Sequence, residues 1–592
     1  MPQDQMITAP DWDLSDFFTG PSDPAITAEL AQIADAAAAF KAQYAGNLAA
    51  LEGREMAAAI AAFEALEDRL GRVISYAQLL HAAHTEDPAI GQFYQSIHER
   101  ATDIGSDMLF FGLEINQLGD AVLAAKMSAP ELAHYRPWID NLRLFRAHQL
   151  SDEQERLLHE KSVSGRAAWV RLFDETMARL RIPIDGQDLT EAEVLDRLSS
   201  PDAATRKNAA LAFANALKAN APLLAHITNT LAKDKETEDK WRGYSRPISA
   251  RNLANQVEDD VVDALVTAVS GRYQTLSHRY YRLKARWFGR EKLDFWDRNA
   301  PLPGDDNQLL SWADAQTIVD GAYRSFSPQL ADIGKQFFTR RWIDAAARPG
   351  KSSGAFSHPT VPSAHPYILM NYQGKIRDVM TLAHELGHGV HQVLAAPQGA
   401  LMADTPLTLA ETASVFGEML TFQSLLGSET DPARRRILIA GKVEDMLNTV
   451  VRQIAFHQFE SAVHARRSSG ELTVDEIGDI WMQVQADSLG PAIQLSDDYR
   501  SYWGYIPHFL HTPFYVYAYA FGDCLVNSLY AVYQERPDGF AEKYVTLLKA
   551  GGTLRHRELL APFGLDAGDP DFWGKGLGVI EALIDQLDES NG

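Results

Sequence analysis

The segment Met380–His391 (MTLAHELGHGVH) carries two histidines four residues apart, with a glutamate directly after the first. Residues four apart share one face of an α-helix, so His384 and His388 can direct two imidazole nitrogens at one point. Neutral imidazole is a good zinc ligand, and Glu385 can reach a water on the same ion as a general base. This HExxH pattern therefore predicts a zinc-dependent hydrolytic site.

A catalytic zinc needs a third protein ligand, and Glu411 is the best candidate. It lies in an apolar, helix-like run that begins after Pro406, and 22 residues separate it from His388. That length lets the chain turn back toward the first helix. A carboxylate in so apolar a run is expected to be buried and to need a partner. Glu418, seven residues on, shares the face of Glu411 and is predicted to orient a ligand.

Three further histidines compete for the metal. His391 shares the helix face of His384 and His388, but it lies two turns beyond His384, which favours a supporting hydrogen bond or a core position over ligation. His358 and His365 are each followed by proline. They are interpreted as loop residues or substrate contacts, because the HExxH pattern already supplies two imidazoles.

The surrounding elements are predicted to be mostly helices. From about Ala25 to Asp120 apolar side chains recur every three or four positions, which indicates amphipathic helices packed as hairpins or a bundle. Ser200 and Pro201 are predicted to begin a helix that runs to about Lys218, and Pro222 to begin the next one. The domain boundary is placed near residue 200, with an N-terminal helical region (1–200) and a catalytic domain (201–592).

Two stretches depart from the helical pattern. Ile182–Gln187 contains Pro-x-Asp-Gly, which suits a turn and a short hairpin. His365–Tyr372, just before the HExxH helix, has the aromatic and β-branched content of a strand.

Composition excludes several other functions. The 592 residues are 46% hydrophobic and 23% charged, which is typical of an ordinary globular protein. The formal charge of −24 argues against a nucleic-acid partner. The one cysteine, Cys524, lies in an apolar run and is interpreted as a core residue. Neither a signal peptide nor an uncharged apolar stretch of 18 residues is evident, so we expect a cytoplasmic protein without a membrane partner.

The sequence resembles the oligoendopeptidase F family, relatives of thimet oligopeptidase among the zincin metallopeptidases. The resemblance is carried by HELGHGVH with DTPLTLAETASVFGE, and by five further segments, which are WDLSDFF, WDRNAPLP, KSSGAFS, HPYILMNYQG and HFLHTPFYVYAYAFG. It implies one zinc ion per chain on His384, His388 and Glu411, with Glu385 as the base.

The resemblance also implies a fold. We expect a mainly α-helical protein with two helical lobes around a deep substrate channel, and a small β element beside the HExxH helix. Zincins commonly hold an extended substrate along a strand edge just upstream of the zinc helix, where backbone pairing gives affinity without demanding particular side chains. The stretch Lys351–Gly374 is expected to take that role.

The oxyanion that forms when water attacks a peptide carbonyl needs fixed donors. By resemblance these are His508 and Tyr517, with Tyr515 as the competitor, because the loop after the histidine is shorter here than in the thimet-type relatives. Tyr515, Tyr517 and Tyr519 cannot all face one cleft, so at least one must be a core residue.

The function expected is zinc-dependent hydrolysis of internal bonds in short peptides. One alternative is that the same site trims peptide ends, as a dipeptidyl carboxypeptidase or an aminopeptidase does. A second alternative is a non-catalytic, helical peptide-binding scaffold, and the intact set of His384, Glu385, His388 and Glu411 weighs against it.

Overall fold

The structure is a computed structural model that describes residues 9–162, 164–304, 309–352 and 354–589. It confirms the mainly α-helical fold. The first eight residues, on which the expectation of no signal peptide partly rests, lie outside the described residues. The chain forms two compact units that alternate along the sequence. The division into 1–200 and 201–592 stays a prediction.

The first unit comprises Met1–Arg146, Asn307–Ser428 and Val532–Leu565. With elements numbered along the whole chain, it contains α1 (Pro24–Tyr44), α2 (Gly53–Ala83), α3 (Pro88–Gln117), α4 (Asp120–Lys126), α5 (Arg136–Arg143), α13 (Trp312–Phe326), α14 (Pro328–Thr339), β4 (Ile343–Ala346), β5 (Phe356–His358), β6 (Tyr367–Tyr372), α15 (Ile376–Ala395), α16 (Leu407–Ala410), α17 (Thr412–Ser428), α23 (Phe540–Lys549) and α24 (His556–Leu560).

The second unit comprises Ala147–Asp306, Glu429–Ala531 and Asp566–Gly592. It contains α6 (Asp152–Ser162), α7 (Arg166–Arg179), β1 (Ile182–Ile184), β2 (Gln187–Leu189), α8 (Glu191–Arg197), α9 (Ala203–Arg242), α10 (Ser249–Ala254), α11 (Asp259–Ser270), α12 (Ser277–Trp287), β3 (Leu293–Asp294), α18 (Pro432–Thr449), α19 (Val451–Arg467), α20 (Val474–Leu489), β7 (Ile493–Gln494), α21 (His508–His511), most of α22 (Tyr517–Glu535) and α25 (Pro570–Glu589).

The helical periodicity of the N-terminal region corresponds to real burial. On α2, Met56, Ile60, Leu66 and Leu70 are all buried, and they face the neighbouring helices α1 and α3. The apolar face that the 3.6-residue period predicts therefore packs against neighbouring helices and stabilises a helical hairpin.

A three-stranded sheet precedes the HExxH helix. Its order is β4-β6-β5, with β4 parallel and β5 antiparallel to the central strand β6. Because β6 is paired on both sides, it has no open backbone edge. Within the stretch expected to hold a substrate strand, the edge is β5.

One helix prediction is wrong. Instead of two helices separated near residue 220, α9 runs without a break from Ala203 to Arg242, with Asp202 as its N-cap and Pro222 inside it. A proline inside a helix removes the bond to the carbonyl four residues back, here that of Lys218. Lys218 is exposed, so water can satisfy that carbonyl.

The predicted hairpin at Ile182–Gln187 is formed by β1 and β2. Asp185 and Gly186 have φ angles of 53° and 78°, which is the pair of positive values that a tight two-residue hairpin turn requires.

Among the described residues, no single helix has both the length and the apolar composition needed to cross a membrane. Only α3 and α4 taken together meet these requirements, and a bend of 104° separates them.

Candidate metal centre

Helix α15 carries the HExxH residues. Its buried side chains include Leu382, Leu386 and Val390, which recur at helical spacing and anchor one face of the helix. The side chains of His384 and His388 are instead 26% and 20% exposed, so the two rings stay accessible to a ligand while their helix is fixed. The ring centroids lie 5.0 Å apart.

Glu411 lies where the predicted continuous helix is interrupted. α16 ends at Ala410 and α17 begins at Thr412, so Glu411 stands at the junction between two helices. The hydroxyl of Ser414 donates to Glu411 Oε2 at 2.7 Å and to the Glu411 carbonyl oxygen at 3.1 Å. These bonds orient the carboxylate toward α15.

The three predicted ligands come together. Glu411 Oε2 lies 3.3 Å from His384 Nε2 and 3.6 Å from His388 Nε2. Two atoms bound at about 2.0–2.1 Å to a tetrahedral zinc ion are about 3.3–3.4 Å apart, so these separations fit such an ion closely. Within the described residues, this is the one group of three histidine, cysteine or acidic side chains close enough to hold a metal.

Carboxylates hold His384 from two sides. Its Nε2 faces Glu411, and its Nδ1 lies 3.2 Å from Glu418 Oε2. Burial lowers the pKa of His384, but the hydrogen bonds to Glu411 and Glu418 outweigh it and raise the pKa to about 10. Burial raises the pKa of Glu411, but the bond to His384 and the charges of both histidines outweigh it and lower the pKa to about 2. The cluster is therefore built to hold a positive charge.

Glu385 is the most deeply buried of these polar side chains, with 7% of its surface exposed. Burial raises its pKa to about 7, while the charge of His384 lowers it and that of Glu411 raises it. The backbone N–H of Ser357, in the edge strand β5, lies near this carboxylate and acts to lower its pKa. Ser357 also bonds to Gln392 of α15, its hydroxyl donating at 2.9 Å and its carbonyl oxygen accepting at 3.3 Å. The sheet edge thus adjoins the predicted base.

Two further residues position the site, and the sequence analysis missed one of them, Ser357; a glycine at position 387 already indicates that another segment approaches the helix closely. Gly387 lets α17 approach closely, because a Cβ there would lie 2.4 Å from the carbonyl oxygen of Ala413. Ser357 links the sheet edge to α15 through Gln392 and lies near Glu385. The sequence offers two signals for these residues, which are the glycine between the two histidines and the segment KSSGAFS. Neither signal indicates which backbone segment approaches α15.

The other three candidate histidines lie outside the ligand group. His391 is buried, which lowers its pKa to about 4, and it lies outside the ligand group. His358 Nδ1 accepts from the N–H of Thr360 at 2.9 Å. His365 Nε2 lies 2.8 Å from Asp16 Oδ2, and its ring stacks on Trp342 at 3.7 Å.

The predicted oxyanion donors lie in the second unit, and His508 and Tyr517 are placed differently. His508 is partly exposed and belongs to an aromatic cluster with Tyr515 and Tyr519, whose ring centroids each lie 6.1 Å from its own. Burial lowers the pKa of His508, as do the charges of His511 and Arg452, so its ring is neutral at pH 7.

Tyr517 is fully buried, and its hydroxyl oxygen accepts from Asn255 Nδ2 at 2.9 Å. It packs against His457, with ring centroids 5.9 Å apart. Of the three tyrosines, Tyr517 is therefore the one with the surroundings of a core residue, while Tyr515 and Tyr519 share a partly exposed face with His508.

Comparisons with known proteins agree with this picture. The model of peptidase family M3 matches residues 197–579, and a model named Oligopeptidase F matches residues 114–182. The chain is 26% identical to oligopeptidase PepF of Bacillus subtilis, over 100% of this chain and 88% of that protein. It is 27% identical to an oligoendopeptidase F homolog of Borreliella burgdorferi, over 85% of this chain and 86% of that one.

Solved structures share the fold. A protein of Chlamydophila abortus described as a peptidase superposes with a TM-score of 0.85 at 23% identity, covering 100% of this chain and 98% of that chain. Oligoendopeptidase-F of Enterococcus faecium superposes with a TM-score of 0.71 at 22% identity, covering 96% and 97%.

Proposed function

Because this chain belongs to peptidase family M3, it is a peptidase, and we propose that it is a zinc-dependent endopeptidase acting on short peptides. The observation that carries the metal assignment is the pair of separations, 3.3 Å and 3.6 Å, between Glu411 and the two histidines. The names of its relatives, oligopeptidase and oligoendopeptidase F, favour short peptides as substrates.

His384, His388 and Glu411 would hold the ion, leaving a fourth position open. A bound zinc ion supplies a Lewis acid for the scissile carbonyl and makes water easier to deprotonate. Glu418 fixes the ring of His384 through Nδ1, so that Nε2 points at the metal position. Ser414 does the same for the carboxylate of Glu411.

Glu385 acts as the proton carrier. Its carboxylate takes a proton from the attacking water and gives that proton to the departing amine. A pKa raised toward 7 by burial suits a group that must both accept and release a proton at neutral pH. The nearby N–H of Ser357 favours the ionised form of this carboxylate, which is the form that accepts the proton.

His508 remains the proposed histidine donor to the oxyanion, and Tyr515 is the better partner for it than Tyr517. Tyr515 shares a partly exposed aromatic cluster with His508. Tyr517 is buried, and its hydroxyl oxygen already accepts a hydrogen bond from Asn255. The support for these donors is the family resemblance together with their local exposure.

The test is cleavage of a fluorogenic peptide blocked at both ends, with and without a chelator. We expect internal cleavage that the chelator abolishes and zinc restores. Glu385→Gln should lose at least about 10³-fold in kcat while it still binds zinc, because the ligands are intact. Glu542→Gln, an exposed carboxylate of the same unit, is the matched control and should keep full activity.

Cleavage only of peptides with a free end would favour the end-trimming alternative. Full zinc-dependent activity in Glu385→Gln would refute the proposed base. Tight zinc binding without hydrolysis of any peptide in a mixed library would favour the binding scaffold.

A further inference from the structure

The chain makes a tight turn just before Tyr515. The N–H of Tyr515 donates to the carbonyl oxygen of Thr512 at 3.1 Å, which closes a β-turn. Its two central residues are Pro513 and Phe514, and Phe514 has a φ angle of 60°. Proline followed by a residue of positive φ is the pattern of a type II turn, in which glycine is the usual second central residue. A phenylalanine there is strained, so groups outside the turn must stabilise this conformation.

Two side chains of the second unit bind the peptide unit between Pro513 and Phe514. The N–H of Phe514 donates to Glu460 Oε1 of α19 at 2.9 Å. The carbonyl oxygen of Pro513 accepts from Arg251 Nε of α10 at 3.4 Å. Type I and type II turns differ mainly in the direction of this one peptide unit, which is reversed between them. An acceptor for its N–H and a donor for its carbonyl therefore favour the type II form together.

Helix α19 also holds the side chain of Phe514. This ring is 2% exposed, and its centroid lies 4.9 Å from that of His464 and 6.1 Å from that of His457. Glu460 lies between these two histidines in the sequence and is itself 2% exposed. One face of α19 thus packs against the ring and accepts the backbone N–H of the same residue.

We propose that Glu460 is a positioning residue for Tyr515. By accepting the Phe514 N–H, it keeps the turn in the type II form, from which Tyr515 leaves on the side of His508. The rings of Tyr515 and His508 are stacked, with centroids 6.1 Å apart. The inference rests on the proposed function, in which these two side chains are the oxyanion donors. Such donors act in the transition state, so a displaced Tyr515 should lower kcat and leave KM unchanged.

Two substitutions of Glu460 separate the acceptor from the rest of the side chain. Glu460→Met removes the acceptor and keeps the length, whereas Glu460→Gln keeps an acceptor oxygen. Burial raises the pKa of Glu460 to about 8, so the carboxyl group is mostly protonated at pH 7 and glutamine has nearly the same shape. With the end-blocked peptide at pH 7, Glu460→Met should lose about 10-fold in kcat with unchanged KM, and Glu460→Gln should keep the wild-type kcat. Glu471→Met, which replaces an exposed carboxylate four residues beyond α19, is the matched control and should also keep it.

A double-mutant cycle with Tyr515→Phe shows whether Glu460 acts through that phenol. If it does, Glu460→Met should change kcat by no more than about 2-fold once residue 515 is phenylalanine. A purely structural role would give the same loss in both backgrounds, and that result would overturn the proposal. If Glu460→Met does not fold, Arg251→Met takes its place in the cycle, because it removes the other partner of the peptide unit.

A crystal structure of Glu460→Met gives a second measurement that does not depend on activity. We expect the peptide unit before Phe514 to be reversed and the φ angle of Phe514 to be negative; a positive φ would overturn the proposal. Failure of the proposed function would give a different result. A wild-type chain without zinc-dependent cleavage, or wild-type kcat in Tyr515→Phe, would refute the function or the donor assigned above, and the φ angle would still decide whether Glu460 holds the turn.

Discussion

Replacing Gly387 with alanine tests whether the contact between α15 and α17 sets the geometry of the metal site. The new Cβ would lie 2.4 Å from the carbonyl oxygen of Ala413 and 2.6 Å from Cα of Ser414. Both are backbone atoms of α17, so no change of side-chain rotamer relieves the overlap. Ordinary contact begins at 3.4 Å, and the two helices must therefore separate locally by about 1 Å.

That separation acts directly on the ligands. Glu411 lies two residues before Ala413, and its carboxylate is now 3.3 Å and 3.6 Å from the nitrogens of His384 and His388. An outward movement of about 1 Å would place it too far away to complete a tetrahedral site. We expect a loss of zinc affinity of about 10²-fold, which is about 2.7 kcal/mol, and a similar or larger loss of kcat/KM. The cost to folding stability should be about 1–3 kcal/mol.

Competition with a chromophoric chelator measures the zinc affinity, and cleavage of the end-blocked peptide measures activity. Gly427→Ala is the matched control, because Gly427 lies in α17 and a Cβ added there would have no atom within 4 Å. This control should keep affinity and activity and gain about 0.5–1 kcal/mol of stability. Wild-type zinc affinity in Gly387→Ala would show that the close approach of the helices does not position the third ligand.

Three other predictions concern single side chains. Glu418→Gln should lower zinc affinity by about 10–100-fold in the same chelator competition, because His384 loses a charged partner; unchanged affinity would contradict this. Burial raises the pKa of Glu460 to about 8, so the wild-type protein loses stability as pH rises from 4.5, the value of the unfolded chain, to 8. Urea unfolding of Glu460→Gln should therefore show a gain on the order of 4 kcal/mol at pH 9 and little gain at pH 4; an equal gain at both would refute it. Tyr515→Phe should lower kcat by about 10²-fold or more without loss of stability. Tyr517→Phe should instead lower the free energy of unfolding by about 1–3 kcal/mol, because Asn255 loses its acceptor. The reverse pattern would show that Tyr517 is the oxyanion donor.

The sequence predicts this fold well where a local pattern decides the structure. The apolar stripe of α2 and the spacing of His384 and His388 are such cases, because a helix converts sequence spacing directly into a shared face. The break at Glu411 is different. Nothing in the apolar run around it marks a helix junction, since the break depends on Ser414 binding back to Glu411 and on the packing of α17 against α15.

Local sequence patterns also cannot predict the order of strands in the sheet or the location of Pro222 inside a helix. The strand signal at His365–Tyr372 identifies β6, but which strand is central depends on β4 and β5 arriving from elsewhere in the chain. Proline favours the first turn of a helix, which is why the sequence predicts a helix start at Pro222. The helix on both sides of Pro222 is nevertheless long enough to tolerate one missing bond.

The order of the tyrosines after His508 shows how a strained backbone selects the residue that faces outward. Phe514 has a φ angle of 60°, which is costly for an aromatic residue and requires compensation. Glu460 supplies part of it by accepting the Phe514 N–H at 2.9 Å. The chain then enters α22 so that Tyr515 and Tyr519, four residues apart, share the face of His508, while Tyr517 points into the core. Spacing alone requires that one tyrosine be buried, but the turn at Phe514 determines that it is Tyr517.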